Sequence, residues 1–176
     1  MKNKGFTLLE LLLVVILLLV VFSVVGSVFI SEMKGNLQLT AKMNQYIQYL
    51  SVKNQLTKQF FSKIENRGVN FKLGNDGISF YTLYPVFFTG AVRAEYKIEK
   101  TKGDKYRLVY EEFPYIDGNL GGAGLKKITL GTFEKVNFFI INDGKEYENY
   151  SGKIFPQILK LKINDETFYI TDGKVQ

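Results

Sequence analysis

Cysteine, histidine and tryptophan are absent from this 176-residue chain, and proline occurs three times. Without cysteine there is no disulfide, no thiolate nucleophile and no Cys-based zinc site. Without histidine there is no Ser-His-Asp triad and no imidazole acid–base pair. Metal ligation is left to carboxylates, and a nucleophile would have to be Ser, Thr, Lys or Asp with no imidazole beside it. Acidic residues are the scarcer charge: 17 Asp and Glu against 23 Lys and Arg leave a formal charge of +6, with two of the lysines in the first four residues. What is present in quantity is apolar surface. At 46% hydrophobic and 23% charged residues the chain is not disordered, and its length is that of one domain with an appendage.

The apolar residues are concentrated at one end. Between Phe6 and Ile30 the only polar or small interruptions are Thr7, Glu10, Ser23, Gly26 and Ser27, and Leu11 to Phe22 is an unbroken run of twelve Leu, Val, Ile and Phe. As a helix this stretch spans roughly 37 Å at about 1.5 Å per residue, more than the ~20 residues a bilayer core needs. Twelve apolar side chains at roughly −0.3 to −0.6 kcal/mol each outweigh the ~3 kcal/mol cost of one carboxylate near the end of the span. Lys2, Lys4 and the initiator amine precede the run, whereas Glu32 and Lys34 cancel after it. The positive-inside rule then places the short N-terminus in the cytoplasm and residues 31–176 outside. A cleaved signal peptide ending near Gly26 or Ser27, a plain single-pass anchor and a buried core helix are the competing readings. A signal peptide's apolar region is shorter and carries no acid, an anchor gives no reason for Glu10, and a core helix is shorter.

Glu10 is the informative residue, because an ionisable group in a membrane span needs a partner. No Lys or Arg lies within helical reach on its C-terminal side, and Lys4 stands outside the run. A cut just before Phe6 would create an α-amino group about one turn away, in the same helix or in a neighbouring, staggered one. At about 4 Å and an effective dielectric near 20, such a pair gains up to about 4 kcal/mol before desolvation. A misaligned register would leave the charge unpaired, so the pair can set register between subunits.

Lys4-Gly5-Phe6-Thr7-Leu8-Leu9-Glu10 followed by Leu11-Leu12-Leu13-Val14 resembles the prepilin processing site of type IV pilins and type II secretion pseudopilins. The resemblance implies cleavage between Gly5 and Phe6 by a membrane-embedded prepilin peptidase, N-methylation of Phe6 and an assembly role for Glu10. Lys2 and Lys4 become the charges of a leader, residues 1–5. It covers only about the first 25 residues and is silent on the rest.

Beyond residue 30 the chain stays helical in period. Leu39, Met43, Tyr46, Ile47 and Leu50 recur at three to four, then Val52, Leu56, Phe60 and Ile64 at four. Arg67-Gly68 reads as a helix end. One long helix is expected from about Phe6 to about Asn66, with bends allowed near Gly26 or Gly35. Its first half (6–30) sits in lipid and its second half (31–66) lays an apolar stripe on a head domain (67–176); a coiled coil with a partner is the other use of that stripe. From Val69 the period becomes two. Strands are expected at 70–73, 78–84, 92–100, 106–113, 128–133, 136–142, 158–164 and 167–171. Turn signals lie at Asn75-Asp76-Gly77, Lys102-Gly103-Asp104, Asp143-Gly144 and Asn164-Asp165-Glu166. Gaps this short imply antiparallel hairpins, and alternation such as Tyr96 and Ile98 against Lys97 and Glu99 implies one buried and one wet face. The fold class is α+β: a long N-terminal helix packed on an antiparallel β-sheet head.

The head has its own resemblance. The Tyr-bearing hairpin from Val92 to Ile98 and Tyr106 to Tyr110, the strand pair around Phe133 to Ile140, and Phe155-Pro156 leading into Ile158–Ile163 are ordered as in the minor pseudopilin group known as general secretion pathway protein J. That group often has a Trp shortly before the late strand; here Tyr150 is the nearest aromatic. The K-type tip pseudopilin usually lacks the N-terminal Glu, which this chain has.

Other patterns carry less. The Gly118 to Lys127 stretch lacks the Gly-Lys-Ser/Thr ending of a phosphate loop and reads as a mobile loop or a partner contact. Glu95, Glu99, Glu111 and Glu112 could form a glycosidase pair, but alternation places most of them on the wet face beside Arg93, Lys97 and Arg107, where cross-strand ion pairs are expected. The Asp-Gly pairs at Asp76, Asp117, Asp143 and Asp172 lack calcium-loop spacing. Lys97, Lys100, Lys102, Lys105 and Arg107 near Tyr96 and Tyr106 could meet nucleic acid, yet each has acidic neighbours. The reading is a non-enzymatic minor pseudopilin of a type II secretion pseudopilus, in the inner membrane with its head in the periplasm. It needs no cofactor or metal. Its expected partners are the prepilin peptidase, other minor and major pseudopilins, the inner-membrane assembly platform and lipid, with nucleic acid not expected. A minor pilin of a type IV pilus or DNA-uptake machine, and a membrane-anchored enzyme, are the alternatives.

Overall fold

The structure, a computed structural model, describes residues 8–116 and 120–171. A single helix, α1 (Leu8–Phe61), is followed among the described residues by ten strands. These are β1 (Phe71–Gly74), β2 (Gly77–Thr82), β3 (Val92–Lys100), β4 (Tyr106–Phe113), β5 (Lys126–Phe133), β6 (Val136–Asn142), β7 (Lys145–Tyr147), β8 (Tyr150–Gly152), β9 (Ile158–Ile163) and β10 (Glu166–Thr171). The chain divides into two compact units, Met1–Tyr46 and Ile47–Gln176.

In the first unit α1 runs through Gly26 and Gly35 without a break. Its Val and Ile residues are mediocre helix formers in water, but in lipid a helix is the only single segment that satisfies its own backbone. The helix is long and apolar enough to cross a membrane. Every residue from Leu8 to Tyr46 is exposed except half-buried Gly26.

In the second unit the last turns of α1 are buried at Tyr49, Val52, Leu56, Gln59 and Phe60. The helix ends at Phe61, five residues before the end expected at Asn66. Ser62 to Ile64 are taken by the end of β2 instead. The Ile64 amide donates to the Tyr81 carbonyl (3.0 Å), the Leu83 amide to the Ser62 carbonyl (2.8 Å), and Thr82 Oγ1 to the last-turn carbonyl of Gln59 (2.8 Å). These bonds satisfy helix-end carbonyls that a glycine C-cap would otherwise have to satisfy.

The strands form two antiparallel sheets, one six-stranded (β5-β4-β3-β2-β1-β8) and one four-stranded (β10-β9-β6-β7). Every pairing between these strands is antiparallel. β3, β4 and β6 occupy the expected residues. β7 and β8, three residues each, were not expected, because alternation has no period to show at that length. Two glycines are required by geometry. A Cβ on Gly77 (φ +132°) would stand 1.8 Å from the Tyr96 carbonyl oxygen. Asp143 and Gly144, both at positive φ, make the tight β6–β7 turn.

One core joins the helix stripe to the inner faces of both sheets. At its centre Phe60 meets Phe71, Phe80 and Phe155 edge-on at 6.0–6.2 Å, while Phe71 stacks on Phe80 at 5.8 Å. The other face of the six-stranded sheet is not wet, contrary to expectation. Ser79, Tyr81, Arg93, Val109 and Glu111 are buried there. The segment from Leu120 to Gly124 lies across them, with Leu120 itself buried.

Candidate functional site

The residues expected at the processing site, Lys2, Lys4, Gly5 and Phe6, lie outside the described residues. Glu10 is described. It sits in the first turn of α1, amid exposed Leu8, Leu9, Leu11, Leu12 and Leu13. A carboxylate is favoured at a helix N-terminus by the helix dipole and costs most where apolar side chains exclude water.

In the head, the four glutamates of the β3–β4 hairpin part company. Glu99 and Arg107 approach at 4.0 Å on the surface and Lys97 reaches Glu111 at 2.8 Å, as cross-strand pairing requires, while Lys97 also lies 3.6 Å from Glu95 of its own strand. Burial pushes the Glu95 carboxyl above the ordinary range. Burial works against the charge on Glu111 too, but hydrogen bonds from Lys97 and the Gly124 amide overcome it and hold that carboxyl low. Lys97 is likewise held up: its own burial is outweighed by the bond to Glu111 and the two carboxylate charges. A raised and a lowered carboxyl side by side can form an acid–base pair. Here the lowered one is already occupied by Lys97 and by Gly124, so its role is to hold the strap.

Glu112 is fully buried, on the same face of β4 as Leu108 and Tyr110. The reason is a chain of polar groups threaded through the apolar stripe. Tyr96 donates to Gln59 Oε1 (2.7 Å), Gln59 Nε2 donates to the Tyr110 hydroxyl (2.8 Å) and the Tyr84 carbonyl (3.0 Å), and Tyr110 donates to Glu112 Oε2 (2.8 Å). Glu112 then accepts the backbone amides of Val86, Phe87 and Phe88 at 2.8–3.3 Å. Burial pushes the Tyr96 and Tyr110 hydroxyls well above the ordinary tyrosine range. The carboxylate is thus a clamp on the β2–β3 loop. Gln59 was missed in the sequence, although its position is a signal: it is the polar residue inside the stripe of Val52, Leu56 and Phe60.

The Gly-rich stretch is hydrogen-bonded to the sheet beneath it over residues 120–125; its residues 118 and 119 lie outside the described set. Ser79 Oγ donates to the Leu120 carbonyl (2.7 Å). Buried Arg93, its guanidinium 4.7 Å over the Phe113 ring, donates to the carbonyls of Gly122 and Ala123 (2.9 Å each). A buried guanidinium and a neighbouring carboxylate need partners, and the strap's backbone supplies them. Phe155, expected at the lead-in to the late strand, is in the core. Half-buried Tyr150 donates to the Ile154 carbonyl beside it (2.7 Å). Among the described residues no group of three or more carboxylates is placed to hold a metal ion.

Residues 1–26 match the family model described as a prokaryotic N-terminal methylation motif. Comparison with curated proteins and with solved structures finds no match. The motif spans Gly5, Phe6, Glu10 and the apolar run to Gly26 and stops short of the head. A type IV prepilin-like methylation motif thus opens this chain, and a long N-terminal helix carries it to an antiparallel β-sheet head.

Proposed function

We propose that the chain is a structural subunit of a pilin-like filament, specifically a minor pseudopilin of a type II secretion pseudopilus. The observation that carries this is the coincidence of a prepilin-type methylation motif with the start of a 54-residue helix, whose end is built into the core of a β head. In this reading residues 1–5 are the leader, removed by a prepilin peptidase between Gly5 and Phe6. Phe6 is N-methylated. Residues 6–30 lie in the inner membrane until the subunit is drawn into the filament with its head in the periplasm. Glu10 pairs with the amine of a neighbouring subunit and so sets register. Such a subunit catalyses nothing. Its partners are the peptidase, other minor and major pseudopilins and the assembly platform, and the resemblance of its strand order to the J-type group supports a minor rather than a major subunit.

The basic residues of the β3–β4 hairpin support this over a DNA-binding pilin. Lys97 is engaged by Glu111, Lys100 by Asp104 and Arg107 by Glu99. The test is intact-mass analysis of the protein from its native host, together with secretion assays after deletion. A mass beginning at N-methylated Phe6, with export lost on deletion, is the expected result. Retention of Met1 removes the filament reading. Loss of DNA uptake with export intact moves the chain to the pilus class.

A further inference from the structure

The β2–β3 loop leaves the six-stranded sheet at the end where β4 finishes and β5 begins. Glu112 holds that loop by three backbone amides, and what the clamped loop displays is apolar. Phe87, Tyr84 and Val86 are 38–44% exposed. On the far side of Glu112 its cross-strand neighbour Lys126 is exposed, and Ile128, opposite Tyr110, is 46% exposed. Tyr84, Pro85 and Val86 form one wall of a groove of about 410 Å³ whose other wall is Ser51, Asn54, Gln55 and Lys58 of α1. Lys58 lies 5.6 Å over the Tyr84 ring.

Three features describe what fits. The loop wall is aromatic and aliphatic, Tyr84, Pro85 and Val86 with exposed Phe87 next in the chain, as at interface hot spots, while the α1 wall is polar. The exposed charges at this end are basic, Lys58 in the groove and Lys126 on β5 opposite the Glu112 that clamps the loop, while Glu111 and Glu112 are themselves engaged. The edge strand β5 is unsuited to strand addition. It opens with Lys126-Lys127, and Leu130 bulges out of register, since Leu108 pairs with Gly131 and Val109 with Thr129. Lysines and bulges are how sheet edges are closed to further strands. A second copy of this chain also fits poorly. Between residues 31 and 61 its helix carries four lysines, Lys34, Lys42, Lys53 and Lys58, to one acid, Glu32, so like charges would meet across the contact.

We propose that this groove docks a helix of a different pilin-like subunit, one whose apolar stripe is flanked by carboxylates. The apolar stripe covers Tyr84, Val86 and Phe87, and the carboxylates meet Lys58 and Lys126. This rests on the filament reading given above and adds to it the surface and the chemistry of the neighbour.

The test is photo-crosslinking of the full chain in its native host. Benzoylphenylalanine is placed at Tyr84, and at two comparison positions, Tyr169 on the four-stranded sheet and Met43 on α1. The expected result is an adduct from Tyr84 to another chain bearing an N-terminal methylation motif, mapped to a helical peptide containing Asp or Glu. The double variant Lys58→Glu, Lys126→Glu lowers that adduct about tenfold, with the melting temperature of the chain unchanged. Replacing the mapped acids by Lys restores it. An adduct to a second copy, to a strand, or one indifferent to both charge reversals overturns the proposal. Motif-bearing adducts from Met43 with none from Tyr84 overturn the groove and leave the filament reading standing. No motif-bearing adduct from any of the three positions overturns both.

Discussion

Residues 8–46 and the head use the same apolar residue types in opposite ways. In the first region Leu, Val, Ile and Phe face outward along α1 with nothing buried; in the second the same residues are turned in, and a continuation of the same helix buries Val52, Leu56 and Phe60 completely or nearly so. The contrast shows that an apolar stripe specifies a need for cover, and that the cover differs. For the second region the chain's own sheets provide it, whereas the first is left exposed on a helix long and apolar enough to cross a membrane. Polar residues follow the same division. Glu10 stands at the surface of an apolar rod, whereas Gln59 and Glu112 stand inside an apolar core, each tied to several partners.

The sharpest break between the regions is expected from Glu10→Ala. Insertion, trimming and head stability should be unchanged while incorporation into filaments is lost almost entirely, measured by fractionation of sheared filaments. Normal incorporation would remove the register role. Next, Phe60→Ala in the core should destabilise the head by about 3–5 kcal/mol, read by denaturant unfolding of the detergent-solubilised chain. The matching change Leu17→Ala in the first region should leave that unfolding curve where it is. If both variants shift it equally, the two regions are not energetically separate.

Glu112→Gln should cost about 1–3 kcal/mol, because an amide nitrogen would face donors where a carboxylate now accepts them. Hydrogen exchange at the Val86, Phe87 and Phe88 amides should rise before the core opens. A smaller effect is expected from alkali. Tyr96, Tyr110 and Lys97 hold their protons above their ordinary values in the fold, so the unfolded chain releases them first. Stability is therefore intact below about pH 10 and falls above it. Phenolate absorbance should show these two tyrosines ionising together with unfolding, not before it. In acid, the stability that lowered Glu111 contributes is present above about pH 4.3 and is lost as the pH falls through its folded value. The smallest effect belongs to Lys100→Ala, whose pair with Asp104 is fully open to solvent screening and should leave the melting temperature unchanged within error.

Much of the head was legible because hairpin turns are local chemistry. Asn75-Asp76-Gly77 and Asp143-Gly144 turn where their residues permit positive φ, and β3, β4 and β6 follow at once from alternation. The clamp made by Glu112 was not legible, although Glu112 alternates in phase with Leu108 and Tyr110, and neither was the burial of Arg93 and Glu111 on the opposite face. Alternation records which residues share a face, and a face is wet or dry according to what the chain later lays over it. The strap from Leu120 to Gly124 and the loop at 83–91 come from outside the strands they cover. Helix α1 was misjudged at its end for the same reason: Ile64 keeps the helical period, but β2 offers Ser62 and Ile64 backbone partners the helix cannot match.

By itself the order of residues determined the membrane-length apolar run, the N-terminal methylation motif over residues 1–26, the antiparallel β character of the rest, and the exclusion of thiol and imidazole chemistry. Each of these depends only on residue type and near spacing. Only the tertiary structure decided that Glu112 is a clamp, that Arg93 is buried, that the Gly-rich segment is a fastened strap, and which apolar loop the head presents outward. Those outcomes depend on groups far apart in the chain meeting where water is excluded. There a polar atom must find a partner wherever the fold supplies one, and no local pattern records which partner that is.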